Sequence, residues 1–255
     1  MKAFVLAEPG KVKWFDAPEP QLVPYGAILK PVAVTPCSSD VHTVFGGGSK
    51  KQDNLVLGHE CIAEVVSVGE NVCDFKTGDR VAVPAITPDW REKSIQEGND
   101  RHASAPFSGH QLGRTQPGVF SERFLIKDAD TTLAHIPQKI SEEQALMSVD
   151  VVTTGFTGAE YADIKIGDTV CVIGIGPIGL MAVAGAKLRG AARIIAVGTR
   201  PKCVQLAKYY GATDVLSYKE GDIVQQVKEL TNGIGVDATI IAGGTAEVLT
   251  QAYDM

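Results

Sequence analysis

Apolar and polar positions trade places at strand length through the first 140 residues of the chain. The runs "CIAEVVSV" (61–68) and "VFSERFLI" (119–126) mix the two, and "DRVAVP" (79–84) alternates more cleanly, which predicts β-strands. Glu19-Pro20, Gly46-Gly47-Gly48, Gly78-Asp79 and Pro117-Gly118 punctuate the runs as turns, so this part reads as a β-rich barrel or sandwich. The glycine triplet lacks the lysine–serine pair of a phosphate loop and reads as flexible chain. Residues 87–117 show little periodicity and are expected to form a long functional loop or lobe.

The pattern changes near residue 141. "SEEQAL" is a capping box, with Ser141 as N-cap and Gln144 three residues on, and it predicts a helix start. Continued helical spacing puts Leu146, Val149, Asp150 and Thr153 on one face, leaving a carboxylate in a largely apolar stripe. From 168 onward strand and helix alternate: "DTVCVIG", a helix through Lys187, "RIIAVG", a helix to Tyr210, "TDVLSY", a helix to Leu230, "VDATIIAGG" and a last helix. That order predicts an α/β domain with a doubly wound parallel sheet. Two domains follow, 1–150 and 151–255. Four strands are counted where a full dinucleotide fold has about six, so the chain is expected to be cut short, with weak activity and poor stability on its own.

Composition narrows the function classes. An apolar fraction of 44% and a charged fraction of 21% are those of a soluble globular protein. A net charge of −6, with no basic block longer than Lys50-Lys51, argues against nucleic acid or an anionic membrane as partner. The uncharged stretch 170–186 contains four glycines and a proline, which suit a strand, turn and helix better than a membrane span. Five cysteines without a Cys-x-x-Cys pair make neither a disulfide framework nor a four-cysteine structural zinc lobe, and a reducing cytoplasm is the expectation.

Gly174-x-Gly176-x-x-Gly179 follows the first strand of the second half and opens a helix, the context in which that spacing binds a dinucleotide. The first glycine makes the turn, the second admits the pyrophosphate, and the third lets helix and strand pack closely. An NAD site usually places an acidic residue about 20 positions on. Here Gly198-Thr199-Arg200 ends the second strand, and no Asp or Glu occurs from 169 to 213. A guanidinium and a hydroxyl beside a small residue favour NADP over NAD; the alternative is that Arg200 is a solvated helix-start residue.

The β-rich part must then supply the chemistry. "LVLGHEC" (55–61) ends an apolar run on His59 and Glu60, which either form a surface turn or meet something that justifies burying them. Cys37, in "PCSSDVH", adds a thiolate to the imidazole of His59, a pair that suits zinc. A catalytic zinc takes three protein ligands and keeps one open position. Asp150 is the natural third ligand, unless it forms an ordinary salt bridge or faces water at a helix end, and Glu60 is a candidate fourth.

These segments, with "DFKTGDRVAVP", "ITPDW", "GVFSE", "TTGF", "CVIGIGPIGLM", "AGAKLRGA" and "YGATD", resemble the zinc-dependent medium-chain alcohol dehydrogenases. More narrowly, the chain is similar to the NADP-dependent secondary-alcohol dehydrogenases of bacteria and some anaerobic protists. The resemblance implies a GroES-like barrel domain followed by a Rossmann domain. It implies one catalytic zinc held by Cys37, His59 and Asp150, with Glu60 in or beside the ligand set, and no structural zinc. NADP(H) contacts are implied at Ile175, Gly176, Pro177 and Ile178, at Gly198, Thr199 and Arg200, and at Tyr218. The implied reaction is hydride transfer between NADP(H) and a secondary alcohol or ketone, in a cytoplasmic homotetramer.

Ser39, two residues past Cys37, is placed to exchange the hydroxyl proton, and by resemblance His42 carries it toward solvent; for both, the alternative is a local turn hydrogen bond. Asp40 is expected to support the ligands. Ala63 stands where the family usually has glycine. His110, in "SGHQLG", stands where close relatives have a pocket tryptophan, which leaves room for bulkier or polar substrates. Two other readings compete: a zinc-free quinone or enone reductase, disfavoured by the Cys37, His59 and Asp150 combination, and a non-catalytic NADP-binding protein.

Overall fold

A computed structural model describes residues 1–46, 54–98 and 109–255, and the chain divides into two compact units, Met1–Asp150 and Val151–Met255. Gly47 and Gly48 of the glycine triplet, Lys50-Lys51 and residues 99–108 of the long loop lie outside the described residues.

The elements of the first unit are β1 (Lys2–Glu8), β2 (Lys11–Asp16), β3 (Ala27–Thr35), α1 (Ser38–Gly46), β4 (Leu55–Val56), β5 (Glu60–Val68), β6 (Arg80–Val83), α2 (Lys93–Gln96), β7 (Phe124–Ile126), α3 (Ala129–Thr132), β8 (Ala134–His135) and α4 (Glu142–Leu146). They form two antiparallel sheets, ordered β2-β1-β4 and β7-β3-β5-β6-β8. Alternation along β5 fixes its two faces. Cys61, Ala63 and Val65 point into the main core with Val81, Val83 and Phe124. Ile62 points the other way and packs on Ala145 and Val149, which tethers the end of this unit to the sheet.

Two expectations need correction here. The run 119–126 is a strand only at Phe124–Ile126. Its first residues instead clamp the turn before β5: the Val119 amide donates to the Gly58 carbonyl at 3.0 Å and the Phe120 amide to Leu57 at 2.9 Å. The helix expected to run from Ser141 past Asp150 is broken. The capping box forms, with the Gln144 amide donating to Ser141 Oγ and the Ser141 amide to Gln144 Oε1, but α4 stops at Leu146. The Ser148 hydroxyl and amide both turn back to the Ala145 carbonyl, and the Val149 carbonyl accepts from the Ala85 amide at 3.0 Å. A side chain competing for a helical carbonyl favours termination. Asp150 therefore lies in a turn and not on a helix face.

The second unit contains α5 (Val151–Tyr161), β9 (Thr169–Ile173), α6 (Pro177–Leu188), β10 (Arg193–Val197), α7 (Pro201–Tyr210), β11 (Asp214–Leu216), α8 (Ile223–Leu230), β12 (Ala238–Ile241) and α9 (Glu247–Asp254). Its sheet is parallel throughout, ordered β11-β10-β9-β12. Val170, Val172, Ile194 and Ala196 face a core shared with α6, while Cys171, Ile173, Ile195 and Val197 face a second core with α8. Central strands buried on both faces explain the unbroken apolar runs.

Gly58 sets the entry to β5. Its φ is +91°, and a Cβ there would lie 2.4 Å from the Phe120 ring. Replacement by Ala combines left-handed strain with a clash against a packed ring, so Gly58→Ala is expected to cost roughly 1–3 kcal/mol in urea unfolding.

Candidate active site

Four potential metal donors converge in the first unit. One ligand atom each from Cys37, His59, Glu60 and Asp150 lies within 4.8 Å of every other. They come from the β3–α1 connection, the start of β5 and the turn after α4. His59 and Glu60 are each only 2% exposed, so the surface-turn alternative is excluded. His59 Nε2 is 3.8 Å from both Glu60 Oε1 and Asp150 Oδ2, and Cys37 Sγ is 4.0 Å from Asp150 Oδ2.

The other face of the imidazole is held by Asp40, whose Oδ1 lies 3.1 Å from His59 Nδ1 while its Oδ2 accepts from the Cys37 amide at 2.9 Å. One buried carboxylate thus orients two donor residues and leaves Nε2 directed at the cluster, an arrangement common behind metal-binding histidines. Ser39 Oγ sits 3.3 Å from the same Nε2. His42 lies three residues further along α1, exposed, and among the described residues no hydrogen bond joins it to Ser39.

The charges are tightly linked. Burial disfavours a charged His59, but hydrogen bonding to Asp150, Asp40 and Cys37 outweighs it and raises the ring to about 11. Hydrogen bonding to His59 is the chief influence bringing Cys37 down to about 7. Burial, then the charge of Asp150, pushes Glu60 up to about 8, and Glu60 Oε2 is buried without a hydrogen-bond partner. An orphaned carboxylate oxygen beside a thiol, an imidazole and a second carboxylate fits a divalent cation, and the sulfur–nitrogen–oxygen donor mixture suits zinc. His110 stacks edge-on against His59, ring centroids 4.5 Å apart. Burial, then the charge on His59, lowers it to about 4.

The second unit has a cavity of about 570 Å³ at the carboxyl ends of its strands. Gly174, Ile175, Gly176, Gly198, Thr199, Arg200 and Tyr218, named above as candidate cofactor contacts, are brought together along its lining. Pro177, Ile178 and Gly179 instead form the first turn of α6, beside it. Gly174 has a φ of +90°, and a Cβ on Gly179 would fall 1.8 Å from the Gly174 carbonyl oxygen, so both glycines are dictated by the turn. Thr199 Oγ1 donates to the Tyr218 hydroxyl at 3.0 Å. Arg200 is exposed at the N-cap of α7, and no ion pair involves it among the described residues. Sequence reasoning missed Ala242, Gly243, Gly244 and Thr245, which close the cavity after β12. The signal was the Gly-Gly pair ending that strand, 2.9 Å from where a Gly174 Cβ would stand.

Comparison with known proteins matches both units. Residues 24–138 match the alcohol dehydrogenase GroES-like domain, and residues 177–255 match the zinc-binding dehydrogenase model. The NADP-dependent isopropanol dehydrogenase of Thermoanaerobacter brockii is 55% identical over 252 residues, covering 99% of this chain and 72% of that protein. This chain belongs to the zinc-binding alcohol dehydrogenases. A second relative within the family, the NADP-dependent isopropanol dehydrogenase of Clostridium beijerinckii, is 52% identical over 255 residues, covering 100% of this chain and 73% of that one. Among solved structures, zinc-dependent alcohol dehydrogenase 2 from Streptococcus pneumonia superimposes with a TM-score of 0.90 at 28% identity, covering 100% of this chain and 72% of that structure. The GroES-like and Rossmann assignments made from sequence hold.

Proposed function

We propose that the chain is a zinc-dependent oxidoreductase that moves hydride between NADP(H) and a small secondary alcohol or ketone. Cys37, His59 and Asp150 hold the metal, and Glu60 is an exchanging fourth ligand. One observation carries the ligand set: the buried, unpartnered Glu60 Oε2 inside a four-donor cluster. Zinc bound there supplies a Lewis acid that polarises a ketone carbonyl or favours ionisation of an alcohol. Asp40 keeps the His59 ring in place and, through the Cys37 amide, the thiolate-bearing turn. Ser39 is within reach of the cluster and takes the substrate hydroxyl proton as it gives up its own. That proton reaches the exposed His42, and from it the solvent, through an intervening water, since among the described residues Ser39 and His42 are not directly bonded.

In the second unit, the Gly174–Gly179 turn receives the pyrophosphate, and Arg200 with Thr199 and Tyr218 receives the 2′-phosphate of the cofactor, which supplies the hydride. The NADP-dependent relatives support that choice. The resemblance read from the sequence extends this proposal to a cytoplasmic homotetramer. Among the described residues no helix is long and apolar enough to cross a membrane.

Elemental analysis tests the metal site. Dialysed parent protein is expected to carry one zinc per chain and Asp150→Ala to lose most of it; equal zinc in both would remove Asp150 from the ligands. Ser39→Ala is expected to keep its zinc and lose about 100-fold in turnover, the scale of a positioned proton-transfer group. For the cofactor, Arg200→Ala is the cleaner variant, because a Cβ at Gly198 would lie 2.2 Å from Ile175 Cγ1 and an aspartate there needs that side chain to move. Fluorescence titration is expected to show NADPH binding about 10- to 100-fold weaker in Arg200→Ala, with NADH binding unchanged.

A further inference from the structure

Asp150 follows a helix too short to hold it. α4 spans five residues, too few to stay helical on its own hydrogen bonds, so the turn after it is placed by what α4 packs against. Ala145 and Val149 lie on Ile62, with Ala82 and Ile136 at the edge of the same cluster. Ala82 pairs with Ile62 across the sheet, and Arg80, two residues earlier in β6, faces the same way. Its side chain reaches the start of α4. Arg80 Nε lies 3.1 Å from Glu142 Oε1, and Nη2 donates to the Ile140 carbonyl at 3.2 Å. The Arg80 carbonyl in turn accepts from the Ile136 amide at 3.3 Å. One residue of β6 therefore grips the 136–142 segment at three points, beside the strand that begins at Glu60.

The far end of that segment carries Asp150. Its nearest anchors are the Ile62 contact and the Val149 carbonyl, which accepts from the Ala85 amide. A ligand on a segment that leaves its place part of the time binds metal more weakly, in proportion to the fraction of molecules that are competent. We propose that Arg80 is a positioning residue for the metal site: by clamping Ile140 and Glu142 it keeps Asp150 facing Cys37 and His59 before an ion arrives. The inference rests on the reading of Asp150 as a metal ligand. Arg80 acts only through α4, since it is none of the four converging donors. The Arg80 and Glu142 side chains are 38% and 35% exposed, and an ion pair so placed biases an equilibrium by up to about fivefold.

The test titrates cobalt(II) into the metal-free chain and follows the thiolate-to-cobalt absorption, which reads binding without any turnover. Arg80→Met keeps the aliphatic stem and removes both side-chain contacts, and it is expected to bind cobalt about three- to fivefold more weakly than the parent. Glu142→Gln removes the charge from the other partner and is expected to weaken binding about two- to threefold; it decides the matter if Arg80→Met does not fold. Each substitution is repeated in Asp150→Ala, where the three remaining donors are expected to hold cobalt more loosely. There both are expected to leave the affinity unchanged, because the ligand they position is gone. Affinity unchanged in the parent background, with only the urea midpoint lowered, overturns the proposal. So does an equal loss of affinity in both backgrounds, since Arg80 would then not act through Asp150. Asp150→Ala binding cobalt as tightly as the parent removes Asp150 from the ligands, and the role of Arg80 falls with it.

Discussion

Three carboxylates, of Asp40, Glu60 and Asp150, and a thiol are gathered around one imidazole, and those of Asp40 and Glu60 are buried. Like charges brought this close out of water repel, and a buried carboxylate left without a partner is strongly unfavourable. The first unit tolerates the arrangement through positive charge at its centre, from a proton on His59 or from a cation that replaces it, together with the upward shift that favours a neutral Glu60. Much of the surrounding architecture can be understood as holding mutually repelling groups at fixed distance.

The scaffold does this with ordinary devices. β5 begins at Glu60, so the residue pair at issue sits where a buried strand starts, and the left-handed Gly58 aims it. The 119–120 segment locks that turn from outside through two backbone hydrogen bonds. Ile62, on the opposite face of β5 from Cys61 and Ala63, anchors Ala145 and Val149 and so brings the distant Asp150 home. Asp40 couples Cys37 and His59 through its two oxygens. The second unit solves a different problem, close approach of its own backbone segments at the rim of the cavity, with Gly174, Gly179 and the Gly243-Gly244 pair.

Most of this could be read in the sequence because the strongest local signals and the tertiary structure agree. The central strands of the parallel sheet are unbroken apolar runs, the capping box at Ser141 forms as written, and the glycine spacing sits between a strand and a helix. Failures occurred where a tertiary hydrogen bond outcompeted a local period. Residues 119 to 120 surrender strand pairing to hold Leu57 and Gly58, and Ser148 and Val149 end a helix that spacing alone would extend. Asp150 stands out in the sequence as a carboxylate among apolar residues, but its place is a turn and not the helix face that spacing predicts. The buried role of Asp40 and the clamp at Arg80 needed coordinates, since neither has a periodic signature.

The donors are also far apart along the chain. Cys37 and Asp150 are separated by 113 positions yet stand 4.0 Å apart at their reactive atoms. Any ion gripped by both behaves like a covalent cross-link closing a very large ring, and rings of that size restrict an unfolded polymer most. In the chain-entropy account such a closure removes about 4–5 kcal/mol of freedom from the unfolded chain. The ion that does the chemistry would then also act as a fastener between the two ends of the first unit, and its loss would register as a loosening of the whole barrel before any substrate is present.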